Sequence, residues 1–129
     1  MPAIAPMVGM ASVGVTCRAS ITQRKGKMIK VLSMMKRKEG MSLDEFRRWL
    51  TEEHVKLARQ IPGLEKFIVN IPVTDSKDNP FDSVNELYFK DEATMQAAFA
   101  SEAGKSSGVD ALAHISGRAR LTTTEYKLI

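Results

Sequence analysis

Histidine is the side chain best suited to moving a proton near neutral pH, and the chain has two, His54 and His114. They stand far apart in sequence, and neither sits in a His-x-x-x-His or His-Glu-x-x-His spacing, so a tightly held transition metal is not expected. Carboxylate oxygens meeting in space would be invisible at this level. The one cysteine, Cys17, lies in an N-terminal stretch apart from the periodic elements, which leaves the folded part without a thiol nucleophile, disulfide or cysteine-based metal site. Glycine-rich phosphate loops and Gly-x-Ser-x-Gly elbows are absent, so a nucleotide site or hydrolase triad would need an unfamiliar arrangement. The expectation is a protein without metal or cofactor, in which His54 transfers a proton or orients a ligand.

The segment that positions His54 has a clear local logic. Ser42 can cap a helix by accepting from the Glu45 amide while Glu45 reaches back to the cap, a reciprocal capping box. The helix is predicted to run to about Gln60. At about 100° per residue, Leu43, Phe46, Leu50, Leu57 and Ile61 share one narrow arc, and His54 falls within that apolar sector. Trp49 lies beside the arc, where it either walls a pocket or covers the helix edge. Pro62 disfavours helical geometry at Ile61 and Gly63 frees the turn, so the helix ends there.

Further elements follow from the same patterns. Met28–Met35 reads as a strand leaving through the polar Lys36–Gly40, with the basic run Lys36–Lys38 as a solvated turn. Leu64–Val73 is a second strand, and 74–83 has the Asn, Asp, Pro and Ser content of a loop. Val84–Lys90 is a third strand. Asp91 caps a second helix carrying Ala93, Met95, Ala98 and Phe99. A break near Gly104 and Gly108, a short helical turn over 109–115 and a β-rich tail from Arg118 to Leu128 complete the series.

The order β-α-β-β-α-β is the ferredoxin-like split unit, an α+β fold with two helices on one face of a four-stranded antiparallel sheet. The other sheet face then lacks cover, and burying it against a second copy predicts a homodimer whose sheets close into an α+β barrel. Alternation along the third strand sends Glu86 and Tyr88 to the face opposite Leu87 and Phe89. With Leu87 and Phe89 beneath the helices, Glu86 and Tyr88 face the dimer interface, where Arg118 or Arg120 would pair with Glu86.

At 129 residues with 43% hydrophobic content, the chain suits a single layered core. Four of the 19 basic residues, Arg18, Arg24, Lys25 and Lys27, lie in 1–27 without any acid, so the other 15 balance the 15 acids of 28–129. A balanced domain exerts no long-range pull on phosphate, which argues against nucleic acid as a partner. Residues 1–27 read as a leader with organelle-targeting composition, or as an extension ahead of a natural start at Met28. No apolar run approaches the roughly 20 residues that cross a bilayer, so no membrane partner and a cytoplasmic location are expected.

Met28-Ile-Lys-Val-Leu, Met41-Ser-Leu-Asp-Glu-Phe-Arg-Arg-Trp-Leu-Thr-Glu-Glu-His54, Ile61-Pro-Gly-Leu64, Val84-Asn-Glu-Leu-Tyr-Phe89 and Ala100-Ser-Glu-Ala-Gly104 together resemble the EthD family, named for ethyl tert-butyl ether degradation. The resemblance covers Met28 to the C-terminus. It implies the dimeric α+β barrel fold and a histidine at the His54 position facing a pocket between helix and sheet. Related barrels include muconolactone-type isomerases and cofactor-free monooxygenases, while EthD itself is an accessory of an oxygenase system.

Two roles fit His54: a structural imidazole satisfied by a backbone carbonyl or Glu86, or a general acid/base acting on a small ligand. Two function classes follow. In one, a cofactor-free isomerase or oxygenase of catabolism uses His54 on an apolar, oxygen-bearing metabolite, with Phe46, Trp49, Leu50, Leu87 and Phe89 excluding water from the pocket. In the other, a non-catalytic accessory protein holds the same metabolite. A haem-degrading barrel is a third class.

Overall fold

The computed structural model describes residues 28–129; the leader expectation for 1–27 lies outside them. In chain order the elements are β1 (Ile29–Arg37), α1 (Leu43–Arg48), a π-helical turn (Trp49–His54), α2 (Val55–Ala58), β2 (Lys66–Asn70), β3 (Ser83–Phe89), α3 (Glu92–Ala100), α4 (Glu102–Leu112) and β4 (Ile115–Thr124). The strands form one antiparallel sheet in the order β2-β3-β1-β4. This is the ferredoxin-like arrangement, with the helices packed on one sheet face.

The first helical segment begins as its sequence demands. Ser42 Oγ accepts from the Glu45 amide at 3.0 Å, and Glu45 Oε1 accepts from the Ser42 amide at 2.8 Å. Six residues on, the helix widens into the π turn, which the α-helical spacing did not signal. Thr51 Oγ1 donates to the Arg47 carbonyl at 2.7 Å at this point, a back-bond of the kind that bends helices. The exit turn uses Gly63 at φ 83°, a conformation that L side chains rarely adopt.

The break expected at Gly104 and Gly108 does not occur, because both glycines lie inside α4, an eleven-residue helix. Ser101 ends α3 and caps α4, its Oγ accepting from the Gly104 amide at 3.0 Å. Gly104 is small for a packing reason: a Cβ there would stand 2.1 Å from the Ala98 carbonyl oxygen and 2.9 Å from the Phe99 Cα. Removing the side chain lets α4 cross tightly against the end of α3, and that contact outweighs the low helix propensity of glycine.

Under the helices the core is divided in two. One cluster holds Val31, Ala58, Ile61, Phe89, Met95 and Ala98; the other holds Met35, Phe46, Trp49, Leu50 and Ala111. Val31 and Met35 are two alternate positions apart on β1, and Ser33 lies between them on the same face. Its register partners are Asn85 on β3 and Arg120 on β4. A polar row therefore crosses the sheet between the clusters.

The opposite face carries Glu86 and Tyr88, as alternation predicts, but the expected pairing of Glu86 with Arg118 or Arg120 is not found. Arg118 and Arg120 stand opposite Met35 and Ser33, on the helix side. Glu86 instead receives Lys30 at 2.9 Å, Asn70 at 2.8 Å and the Tyr88 hydroxyl at 3.2 Å, all from its own chain. The bond from Lys30, then that from Asn70, holds the Glu86 carboxyl below its ordinary value of 4.5. A carboxyl depressed in the folded state contributes stability above its unfolded value, and that contribution is lost as pH falls through the folded value. Glu86→Gln should therefore cost about 1 kcal/mol at neutral pH, solvent screening reducing a charged hydrogen bond to that size. In chemical denaturation repeated at decreasing pH, the difference between the two proteins should close below 4.5.

Candidate active site

The π turn decides where His54 goes. In α geometry, residues five apart are offset by about 140° around the axis, whereas the wider turn of i→i+5 bonding brings the fifth residue back towards the side of the first. Trp49 and His54 are such a pair, and their ring centroids are 4.9 Å apart. Both are buried, each 7% exposed.

Asp110 on α4 meets this pair from the other side. Its Oδ2 accepts from Trp49 Nε1 at 3.1 Å and lies 2.9 Å from His54 Nδ1. One carboxylate oxygen thus holds both rings. With Nδ1 facing a carboxylate, the neutral imidazole carries its proton there and presents a lone pair at Nε2. Ser107, one helical turn before Asp110 on the same side of α4, places its Oγ 3.4 Å from Nε2. His114, distant in sequence from His54, joins the group as well. It stacks on Trp49 at 4.3 Å between centroids and directs Nδ1 to the Asp110 backbone carbonyl at 2.8 Å.

His54 and Ser107 both line a cavity of about 230 Å³ between the helices and the sheet. Drug-sized sites occupy roughly 300–1,000 Å³, so the space suits a small metabolite. Its floor includes Ser33, Asn85 and Leu87, and its walls include Gly104, Gly108 and Phe99. The cavity sits over the polar row between the two core clusters.

Of the residues expected around a pocket, His54 and Leu87 line this cavity. Phe46, Trp49 and Leu50 pack together in one core cluster and Phe89 in the other. Phe46, Leu50 and Phe89 are 0% exposed, so they support the cavity from behind, and Trp49 spends its polar edge on Asp110. The imidazole's partner is Asp110, not Glu86 or a backbone carbonyl, because Glu86 occupies the other sheet face. Asp110, Ser107 and Asn85 were missed by sequence reasoning. The pairing of a Ser107-x-x-Asp110 helix face with His54 depends on the crossing of α4 over the π turn, which has no local signature.

Among the described residues, no group of three or more His, Cys, Asp or Glu side chains is placed to hold a metal ion, and no helix is long and apolar enough to cross a membrane.

The fold around this site is shared with known proteins. The chain is similar to an ethyl tert-butyl ether degradation (EthD) family protein from Bacillus halodurans, with 26% identity, a TM-score of 0.66, and coverage of 77% of this chain and 99% of that one. It is similar in fold to a dimeric ferredoxin-like protein of unknown function from Thermobifida fusca, at 14% identity, TM-score 0.63, and 78% and 93% coverage. A hydroxynitrile lyase from Passiflora edulis also shares the fold, at 10% identity, TM-score 0.65, and 81% and 98% coverage. A search of curated proteins gave no match. The EthD domain model matches residues 38–115, a span that holds the capped helix, the π turn, His54 and Asp110, and the chain therefore belongs to the EthD family.

Proposed function

We propose that this EthD protein binds a small, largely apolar, oxygen-bearing metabolite between helix and sheet and moves a proton on it with His54. The observation that carries this reading is the orientation of the imidazole: Nδ1 is held by Asp110 at 2.9 Å, leaving Nε2 as the free base beside the cavity. In the reaction, Nε2 takes a proton from an acidic C–H or O–H of the ligand. The carboxylate at Nδ1 stabilises the imidazolium that forms. Returning the proton to a different ligand atom completes an isomerisation, with one bond to hydrogen broken and one formed and no oxidant consumed. Ser107, with Oγ 3.4 Å from Nε2, is placed to donate to a ligand oxygen beside the imidazole. A cofactor-free isomerase of catabolism uses all of these groups.

The working unit in this proposal is a homodimer, as the Thermobifida fusca protein is described. The sheet face away from the helices displays Val84 and Leu121, 37% and 57% exposed, on the same side as Glu86 and Tyr88. A second copy is the economical cover for such a face.

Positioned general acid/base groups are worth roughly 10²–10⁴ in rate. His54→Gln should lose turnover on that scale while retaining ligand affinity within a few-fold, measured by single-turnover kinetics and calorimetry on an enolisable substrate. Wild-type binding of every tested substrate without turnover would assign the cavity to carriage instead of catalysis. Asp110→Asn should move the neutral His54 proton from Nδ1 to Nε2, visible in long-range 1H–15N correlation spectra, and lower kcat with little change in KM. Sedimentation should find a dimer, and Leu121→Asp should shift it towards monomer with the fold intact by circular dichroism.

A further inference from the structure

The cavity has a charge character that proton transfer does not use. Arg118 and Arg120 of β4 and Lys105 of α4 line it, and no Asp or Glu does. Among the described residues, no carboxylate lies within ion-pairing distance of any of these three cations, and Arg120 is so placed at a partly buried position on the cavity wall. The Arg120 guanidinium rests 4.8 Å over the Phe99 ring. Burial, and then the neighbouring Arg118 charge, push the Arg120 pKa down, the direction expected of a cation short of counter-charge.

The floor supplies a second, independent observation. Asn85 is 3% exposed and its Oδ1 has no hydrogen-bond partner among the described residues, an arrangement that costs free energy unless something else meets the amide. Ser33, its register partner, is 5% exposed and faces the same space. Asn85, Ser33 and Arg120 therefore form one row across three strands, at the point where the apolar core is interrupted. A ligand lying over this row would meet neutral hydrogen-bonding groups at one end, guanidinium groups at the other and the His54 imidazole above.

We infer that the ligand carries a carboxylate, held by Arg118 and Arg120, and a hydroxyl that donates to Asn85 Oδ1 beside Ser33. This deepens the proposed function and rests on the cavity being the ligand site. Guanidinium suits the task because its planar fork matches the two oxygens of a carboxylate. The charge fixes the ligand's direction in the cavity, so one particular carbon is presented to Nε2.

Phenylacetate and its neutral isostere phenylacetamide test the inference, titrated into the full-length protein and followed by amide chemical shifts and calorimetry. Wild type should bind phenylacetate at least tenfold more tightly than phenylacetamide, and the preference should weaken with added salt. Arg118→Gln, which removes a side chain without an ion pair or hydrogen bond among the described residues, should erase most of the preference; Arg120→Gln should do the same with some loss of stability from the Phe99 contact. Equal affinity for the two probes, or an unchanged preference in both variants, overturns the carboxylate assignment while leaving the cavity in place. Gly108→Leu checks the cavity itself, because a Cβ at that wall position meets nothing within 4 Å. If this variant binds both probes as wild type does, the cavity is not the ligand site and the proposed function fails with it.

Discussion

The carboxylate of Asp110 is the joint between the two helical parts of this domain. Through a single oxygen it fixes an indole and an imidazole that belong to the π turn, while the main-chain carbonyl of the same residue fixes the imidazole of His114 at the start of the return to the sheet. A buried or half-buried charge requires this many partners to be tolerated. The requirement runs both ways, since each ring nitrogen would otherwise be left without a partner in an apolar environment. Stability of the helical layer and the tautomer of His54 thus rest on the same contact.

Most of the fold was legible because it is written in short-range chemistry. The Ser42–Glu45 box, the Pro62-Gly63 stop and the alternation of Val84–Phe89 each depend on residues within a few positions of one another. The element order then fixed the sheet. Gly104 was misleading for the opposite reason: glycine reads locally as a helix breaker, but here the missing Cβ serves the neighbouring helix, and its value appears when α3 and α4 are brought together.

The candidate site was half legible. His54 could be found from its place in an apolar arc, yet its partner could not, because Asp110 is 56 residues away and looks like any acid on an amphipathic helix. The π turn also lies beyond an α-helical wheel, which sets Trp49 beside the apolar arc and gives no reason for its ring to face His54. One signal was present and passed over. Ser33 and Asn85 interrupt the inward faces Val31-x-Ser33-x-Met35 and Asn85-x-Leu87-x-Phe89, and two polar residues at inward positions of strands that pair mark a gap in a core. Arg118 and Arg120 were assigned to the wrong face for want of the register, which no pattern within β4 supplies.

The chain has one tryptophan, and the fold has built it into the site, with both imidazoles as ring neighbours and its polar edge on Asp110. Its emission therefore comes from this one location and from nowhere else in the molecule. Indole fluorescence responds to nearby charge and to rearranged ring contacts, so the arrival of a ligand beside His54 would be converted into an optical signal without any label. Under the proposed function, libraries of unmodified metabolites can therefore be screened on the protein directly by its own emission.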